Sequence, residues 1–177
     1  MVNSARALKP QSVLNSPDQG AVVERAFLGM LRIQALRMDA ELLRQLADRL
    51  GTLPEAGYFK QRQTQRVHWL SPQEYLLVVA EGQEQLIIDL LADLTVYVSV
   101  ISDSRLTLSL VGQHIPELLA QRCGLDLHPD VFAVSRSTIT RMAGLPVMVS
   151  RLGDIDYEIT IDRSYGEYFW NWLGLKR

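Results

Sequence analysis

Residues 137–161, STITRMAGLPVMVSRLGDIDYEITI, hold three strand-length runs separated only by Ala143-Gly144 and Leu152-Gly153-Asp154. Connections this short join antiparallel neighbours, because a parallel pair needs a crossover of a dozen or more residues. The chain must therefore build an antiparallel sheet. The last run shows the pattern most clearly: Ile155, Tyr157, Ile159 and Ile161 alternate with Asp156, Glu158 and Thr160, which predicts one buried face and one solvated polar face. Helical periodicities lie between such runs, so the expected fold class is α+β, with mixed or antiparallel sheets and packed helices, rather than a doubly wound parallel sheet.

The rest of the chain extends this plan. AFLGMLRIQAL reads as a strand and DAELLRQLADRLG as a helix, with Asp39 as N-cap, Leu42, Leu43, Leu46 and Leu50 on one face and Gly51 after the end. Residues 52–65 are too polar for an obvious element and read as a loop before a short strand ending near Trp69. EYLLVVA is a continuous apolar run of strand length, the mark of a strand covered on both faces. It precedes GQEQLIIDLLADL, where Leu86, Ile87, Leu90, Leu91 and Leu94 recur at helical spacing. TVYVSVISDSRLTLSLVG reads as a hairpin turning at Ser102-Asp103-Ser104. A short helix with Ile115, Leu118 and Leu119 on one stripe follows, Pro116 being tolerated in its first turn. SYGEYFWNWLG reads as a terminal helix opened by a Ser164–Glu167 capping box, with Tyr165, Tyr168, Phe169, Trp172 and Leu173 on the docking stripe.

Length and composition bound the organisation. The 177 residues suit one domain over residues 25–177 preceded by a turn-rich arm over residues 1–24. A hydrophobic content of 47% with 21% charged residues excludes a disordered chain, and a net charge of −2 provides no field that gathers phosphate polymers. One cysteine forms no internal disulfide, which suits a reducing cytoplasm. MVNSARALKPQSVLNSPDQG has no apolar core of signal-peptide length, and the most apolar stretch, LIIDLLADLTVYVSVI, is interrupted by Asp89 and Asp93, so neither a signal peptide nor a membrane span is expected.

Chemistry-bearing residues are scattered. Cys123 and His128 in CGLDLHPDVF could form a thiol–imidazole pair, but a cysteine between Leu118, Leu119, Leu125 and Leu127 reads as a small buried hydrophobe, and Pro129 holds His128 extended in a turn. His68, His114 and His128 are too dispersed for a zinc set, and no CxxC occurs. Asp154, Asp156 and Glu158 are explained by strand alternation. Residues 58–70, YFKQRQTQRVHWL, mix cations with aromatics in a way that could track RNA, a weak signal in a mildly acidic chain. No dinucleotide loop, P-loop or nucleophile elbow occurs.

Three stretches in order, WLSPQEYLLV, SDSRLTLSLVGQHIPELLAQRCGLDLHP and AGLPVMVSRLGDIDYEITIDRSYGEYFWNWL, resemble the γ subunit of heterotetrameric sarcosine oxidase across about residues 26–175. The middle stretch, ending in its Cys-x-Leu-Asp-Leu-His-Pro corner, carries most of that resemblance. The resemblance implies a fold similar to the folate-binding aminomethyltransferase-type domain of the glycine cleavage T-protein. It further implies a non-catalytic subunit in the cytoplasm, within a complex that oxidatively demethylates sarcosine to glycine. No cofactor or metal is expected on this chain; FAD, FMN, NAD and tetrahydrofolate are implied in the α and β partners, and zinc in the δ subunit. The partners are the α, β and δ subunits, with neither nucleic acid nor membrane among them. Arg62, Arg66, Trp69 and Trp172 are candidate subunit contacts, because arginine and aromatic side chains dominate interface energetics. The alternatives are a γ-like subunit of N-methylglutamate dehydrogenase and a stand-alone tetrahydrofolate-binding module.

Overall fold

The computed structural model describes residues 11–12, 20–26 and 28–174. The chain divides into two compact units, one made of residues 1–26 with 104–177 and the other of residues 27–103. Most of the arm expected over residues 1–24 lies outside the described residues. Two parts of it are strands of the first unit: β1 (Gln11–Ser12) pairs antiparallel with β2 (Ala21–Glu24).

The second unit follows as one continuous segment. It runs β3 (Leu28–Gln34), α1 (Ala40–Leu50), β4 (Phe59–Arg62), β5 (Gln65–Ser71), β6 (Glu74–Ala80), α2 (Glu84–Leu91) and β7 (Tyr97–Val100). The sheet order is β4-β5-β6-β3-β7, every pairing antiparallel. Without β4 this is the βαββαβ path of ferredoxin-like folds; β4 is an added strand at one edge. α1 forms as its sequence dictates: the Asp39 carboxylate accepts from the Leu42 amide at 3.0 Å, Gly51 ends the helix at φ 88°, and Leu42, Leu46 and Leu50 are buried. They meet Leu31, Ile33, Val67, Leu77 and Val79 of the sheet. In β6, Tyr75 to Val79 are buried on both faces, as a continuous apolar run requires. α2 departs from its expected stripe. Ile87 and Leu91 face inward, while Leu86 and Leu90 stay exposed.

The structure differs from two local expectations. Residues 59–71 are a hairpin rather than a loop and a short strand. The turn at Gln63-Thr64 closes it, with Gln63 at a left-handed φ of 54°. The run 95–112 is not a hairpin: β7 belongs to this sheet, but the next strand belongs to the other unit's sheet. Ser102–Ser104 forms a 3-10 turn, not a hairpin turn. Ser102 Oγ accepts from the Met30 amide and donates to Glu84 Oε1, both at 2.9 Å, so the turn is tied to β3 and α2.

The chain then completes the first unit with β8 (Arg105–Val111), α3 (Ile115–Ala120), β9 (Ser137–Met142), β10 (Leu145–Arg151), β11 (Asp156–Asp162) and α4 (Gly166–Trp172). Its sheet order is β1-β2-β8-β11-β10-β9, again antiparallel throughout. Leu106, Leu108 and Leu110 of β8, Val147 and Val149 of β10, and Tyr157, Ile159 and Ile161 of β11 form a core with Ile115 and Leu119 of α3. The terminal helix docks on a rotated stripe: Phe169, Trp170 and Leu173 are buried, whereas Tyr165 and Tyr168 are exposed. The expected capping box is also replaced. The Asp162 carboxylate accepts from the Ser164 amide at 3.0 Å and from its hydroxyl at 2.6 Å, so Asp162 caps the short turn ahead of α4.

Candidate functional site

In the first unit the second face of the sheet is not the solvated face that alternation implies. Glu158 is only 4% exposed, and Thr160, Thr107, Ser137, Ser150 and Glu24 are buried as well. Register explains their grouping: Ser109, Glu158, Ser150 and Ser137 stand directly opposite one another across β8, β11, β10 and β9. Parts of this face are bonded side chain to side chain, as buried polar groups usually are. The Ser137 and Ser150 hydroxyls lie 3.0 Å apart, and those of Thr107 and Thr160 2.9 Å apart. Arg25 lies 3.9 Å from Glu158, and Arg163 donates to Glu24 at 3.1 Å. Asp154, by contrast, is exposed and lies 3.6 Å from Arg151, so the three neighbouring carboxylates do not converge. Among the described residues no three His, Cys, Asp or Glu side chains are grouped to hold a metal ion.

The Cys123 corner is held by backbone. Cys123 is buried, bridges Met142 as a single strand pair, and places Sγ 3.7 Å from Thr140 Oγ1. The His128 side chain is 64% exposed and turned to Asp130 at 3.6 Å, so thiol and imidazole point to different surroundings. The loop beyond is fastened by a residue that the sequence reading passed over. Arg151, itself buried, donates to the carbonyls of Phe132 at 2.8 Å, Gly153 at 3.1 Å and Asp154 at 3.2 Å.

Of the candidate contact residues, three lie on the β4–β5 hairpin. Arg66 is 6% exposed and therefore not a surface residue: β5 is an interior strand, and register sets Arg66 opposite Val78. Its neighbour His68 is buried against Phe59, ring centroids 5.0 Å apart. Burial, with the Arg66 charge adding to it, pushes the imidazole down to about 3. Phe59 and His68 thus face inward, where they cannot stack on nucleic-acid bases. Trp69 is half-buried against the unit's core. Arg62 is exposed and lies with Lys60 over a recess of about 300 Å³ beside the end of α1. The cue to this pair was available in the sequence as two cations at i and i+2 of a short strand, but the segment read as a loop.

Trp172, the fourth candidate, belongs to the other unit. It is half-buried, stacks at 5.5 Å on Phe169 and carries the Arg122 guanidinium 5.3 Å above its ring. Arg122 also donates to the Trp172 carbonyl at 2.7 Å, so ring and cation form one fixed pair beside an open recess of about 590 Å³.

Residues 47–176 match the family described as sarcosine oxidase, gamma subunit family. The chain belongs to that family. Curated relatives of the γ family include the sarcosine oxidase subunit gamma of Corynebacterium sp. (strain P-1), 34% identical over 109 residues, which are 60% of this chain and 54% of that protein. The subunit gamma of Arthrobacter sp. is 34% identical over 110 residues, again 60% and 54% of the two chains. This γ-family chain thus spans about half the length of the curated relatives it matches. A chain of the heterotetrameric sarcosine oxidase from Corynebacterium sp. U-96 superposes with a TM-score of 0.81 at 28% identity, covering 91% of this chain and 85% of that one. The glycine cleavage system aminomethyltransferase T from Bartonella henselae shares the fold, with a TM-score of 0.63 at 14% identity over 86% of this chain and 44% of that one. The α+β class of the γ-family chain, with antiparallel sheets of the aminomethyltransferase type, agrees with the sequence reading. Among the described residues no helix is long and apolar enough to cross a membrane.

Proposed function

We propose that this chain is a structural subunit of a heterotetrameric sarcosine oxidase, the assembly that converts sarcosine to glycine by oxidative demethylation. The superposition on a chain of the Corynebacterium heterotetramer over 91% of this chain carries the reading. On this reading the α, β and δ subunits are the partners. FAD, FMN, NAD and tetrahydrofolate reside in those partners, in the cytoplasm, and this chain supplies shape and contact area. The polar groups found here support it. Ser150 and Ser137 bond each other, Glu158 faces Arg25 of the same unit, and Arg151 holds three backbone carbonyls. Arg62, Trp69 and Trp172 retain exposed surface for contact, and Arg66 does not. The gamma-subunit family match favours sarcosine oxidase over an N-methylglutamate dehydrogenase, and the aminomethyltransferase likeness is one of fold, which does not carry a folate site with it.

The test is co-expression with the α, β and δ subunits of a sarcosine oxidase, followed by gel filtration. The expected result is co-elution in a yellow complex that oxidises sarcosine, while the isolated chain is colourless and inactive. A chain that elutes alone in the presence of all three subunits, or that turns over sarcosine unaided, refutes the assignment. Calorimetric titration of the lone chain with tetrahydrofolate checks the module reading, for which saturable heat is the signature.

A further inference from the structure

The βαββαβ path needs four strands, and its two helices pack on those four. β4 is a fifth strand, at the end of the sheet, with no strand on its outer edge among the described residues. Register fixes which way its side chains point. Lys60 stands opposite Val67 and Arg62 opposite Gln65, and Val67 stands opposite Leu77, which is buried under the helices. Lys60 and Arg62 therefore project from the helix-bearing face, but beyond the helices, on a shelf walled by the end of α1. Gln65 closes that end by donating to the Leu50 carbonyl at 2.9 Å. Arg62 lies along that helix end, its Cδ in van der Waals range, 3.5 Å, of where a Cβ on Gly51 would stand.

Among the described residues that line it, the shelf holds two full positive charges and no carboxylate. The helix end supplies about half a negative charge, which does not neutralise both. Pairing of two such edges from two copies would set four cations side by side, so the edge disfavours its own kind. A strand with acidic residues at alternate positions meets the opposite situation. Side chains directly opposite on neighbouring strands stand about 5 Å apart, so carboxylates at i and i+2 of an added strand reach Lys60 and Arg62 together.

From this geometry we infer that the open edge of β4 receives an extended acidic segment of a partner subunit, added as a sixth strand whose alternate carboxylates pair with Lys60 and Arg62. This rests on the subunit role proposed above. It names the chemistry of one contact within that role, with charge complementarity setting both partner and register.

Two arms test it. In the first, a fluorescent peptide alternating glutamate and threonine is titrated into the full chain at low salt and followed by anisotropy. Saturable binding is expected, weakened about tenfold in Lys60→Gln/Arg62→Gln and abolished in Lys60→Glu/Arg62→Glu, with no binding of the lysine–threonine counterpart. Amide hydrogen exchange over residues 59–62 slows when the peptide binds. Equal binding by wild type and the charge-reversed variant overturns the inference, as does binding that leaves exchange over 59–62 unchanged. Both side chains are exposed, and an unchanged melting temperature verifies that each variant is folded. In the second arm the variants are assembled with the α, β and δ subunits. Slower, less salt-dependent association of Lys60→Glu/Arg62→Glu supports the inference, and wild-type association rates in that variant overturn it while leaving the subunit role standing. A wild-type chain that does not assemble refutes the subunit role, and the inference that rests on it falls with it.

Discussion

At the scale of single residues, the informative side chains are polar ones placed where water is absent. His68 is neutral when folded, its imidazole held down to about 3 by burial, whereas in the unfolded chain it titrates near its ordinary value of 6.5. Above that value both states are neutral and pH has no leverage through this group. Below it only the unfolded chain takes up the proton, so stability falls by about 1.4 kcal/mol per pH unit until the folded imidazole also titrates. Urea denaturation at pH 7 and pH 5 is therefore expected to show a loss through His68 of about 2 kcal/mol. His68→Phe removes that component of the slope, and an identical slope in the variant contradicts the assignment. Arg151 offers a second test. One planar fork serves three carbonyls in two loops, which a lysine ammonium cannot reproduce. Arg151→Lys is expected to cost about 2–3 kcal/mol in chemical denaturation. It also speeds amide exchange around Phe132; a loss under about half a kcal/mol would mean that the fork is dispensable.

At the scale of elements, legibility follows where the determining forces lie. α1 was readable because its signals are local: Asp39 caps it, Gly51 ends it, and its leucines recur at helical spacing. The inner face of β11 was readable for the same reason. Its outer face was not, since whether Glu158 and Thr160 meet water depends on what lies over the sheet, which is not encoded in the strand. β4 escaped notice because an edge strand covered on one side carries little apolar pattern; only Phe59 of its four residues is buried. The supposed hairpin at residues 95–112 failed through a resemblance of composition. Ser102-Asp103-Ser104 suits a hairpin turn, but here its first serine is bonded to β3 and α2. That anchorage depends on Gly29. A Cβ there would come within 2.8 Å of Val79 Cγ2, 2.9 Å of Glu84 Cδ and 3.1 Å of the Ala80 carbonyl oxygen. Gly29→Ala is therefore expected to destabilise the unit by about 1–3 kcal/mol, measured by thermal or urea unfolding. Retained stability would show that Glu84 moves aside freely. Of the candidate contacts, Arg62 is exposed and Trp69 and Trp172 are half-buried. The burial of Arg66 and the partnership of Lys60 with Arg62 needed the strand register.

At the scale of the whole molecule, the order of strands has a consequence for chain connectivity. The unit of residues 27–103 lies between β2 and β8, and those strands are antiparallel neighbours, Glu24 opposite Leu108. The ends of the intervening segment also meet, because β3 and β7 pair with Leu31 opposite Val100. Each sheet is thus made of strands of a single unit. Replacing residues 27–103 by a short Gly-Ser loop is expected to turn β2 and β8 into a simple hairpin and to leave a cooperatively melting domain. Circular dichroism through a thermal ramp decides it: a broad, non-cooperative melt would mean that connectivity alone does not make the first unit independent.

The same interleaving sets a timetable on the ribosome. Residues 27–103 are complete as soon as they emerge and can fold at once. β2 has already been made and must wait for β8, and the sheet it joins closes only when β11 arrives. At roughly 5–20 residues per second that interval lasts from about seven seconds to about half a minute. Until β8 is made, Val22, which ends fully buried, lacks the neighbouring strand that it pairs with at Leu110. β2 is thus made well before the strands that complete its sheet, which makes the nascent chain, more than the finished one, the form that a chaperone has reason to hold.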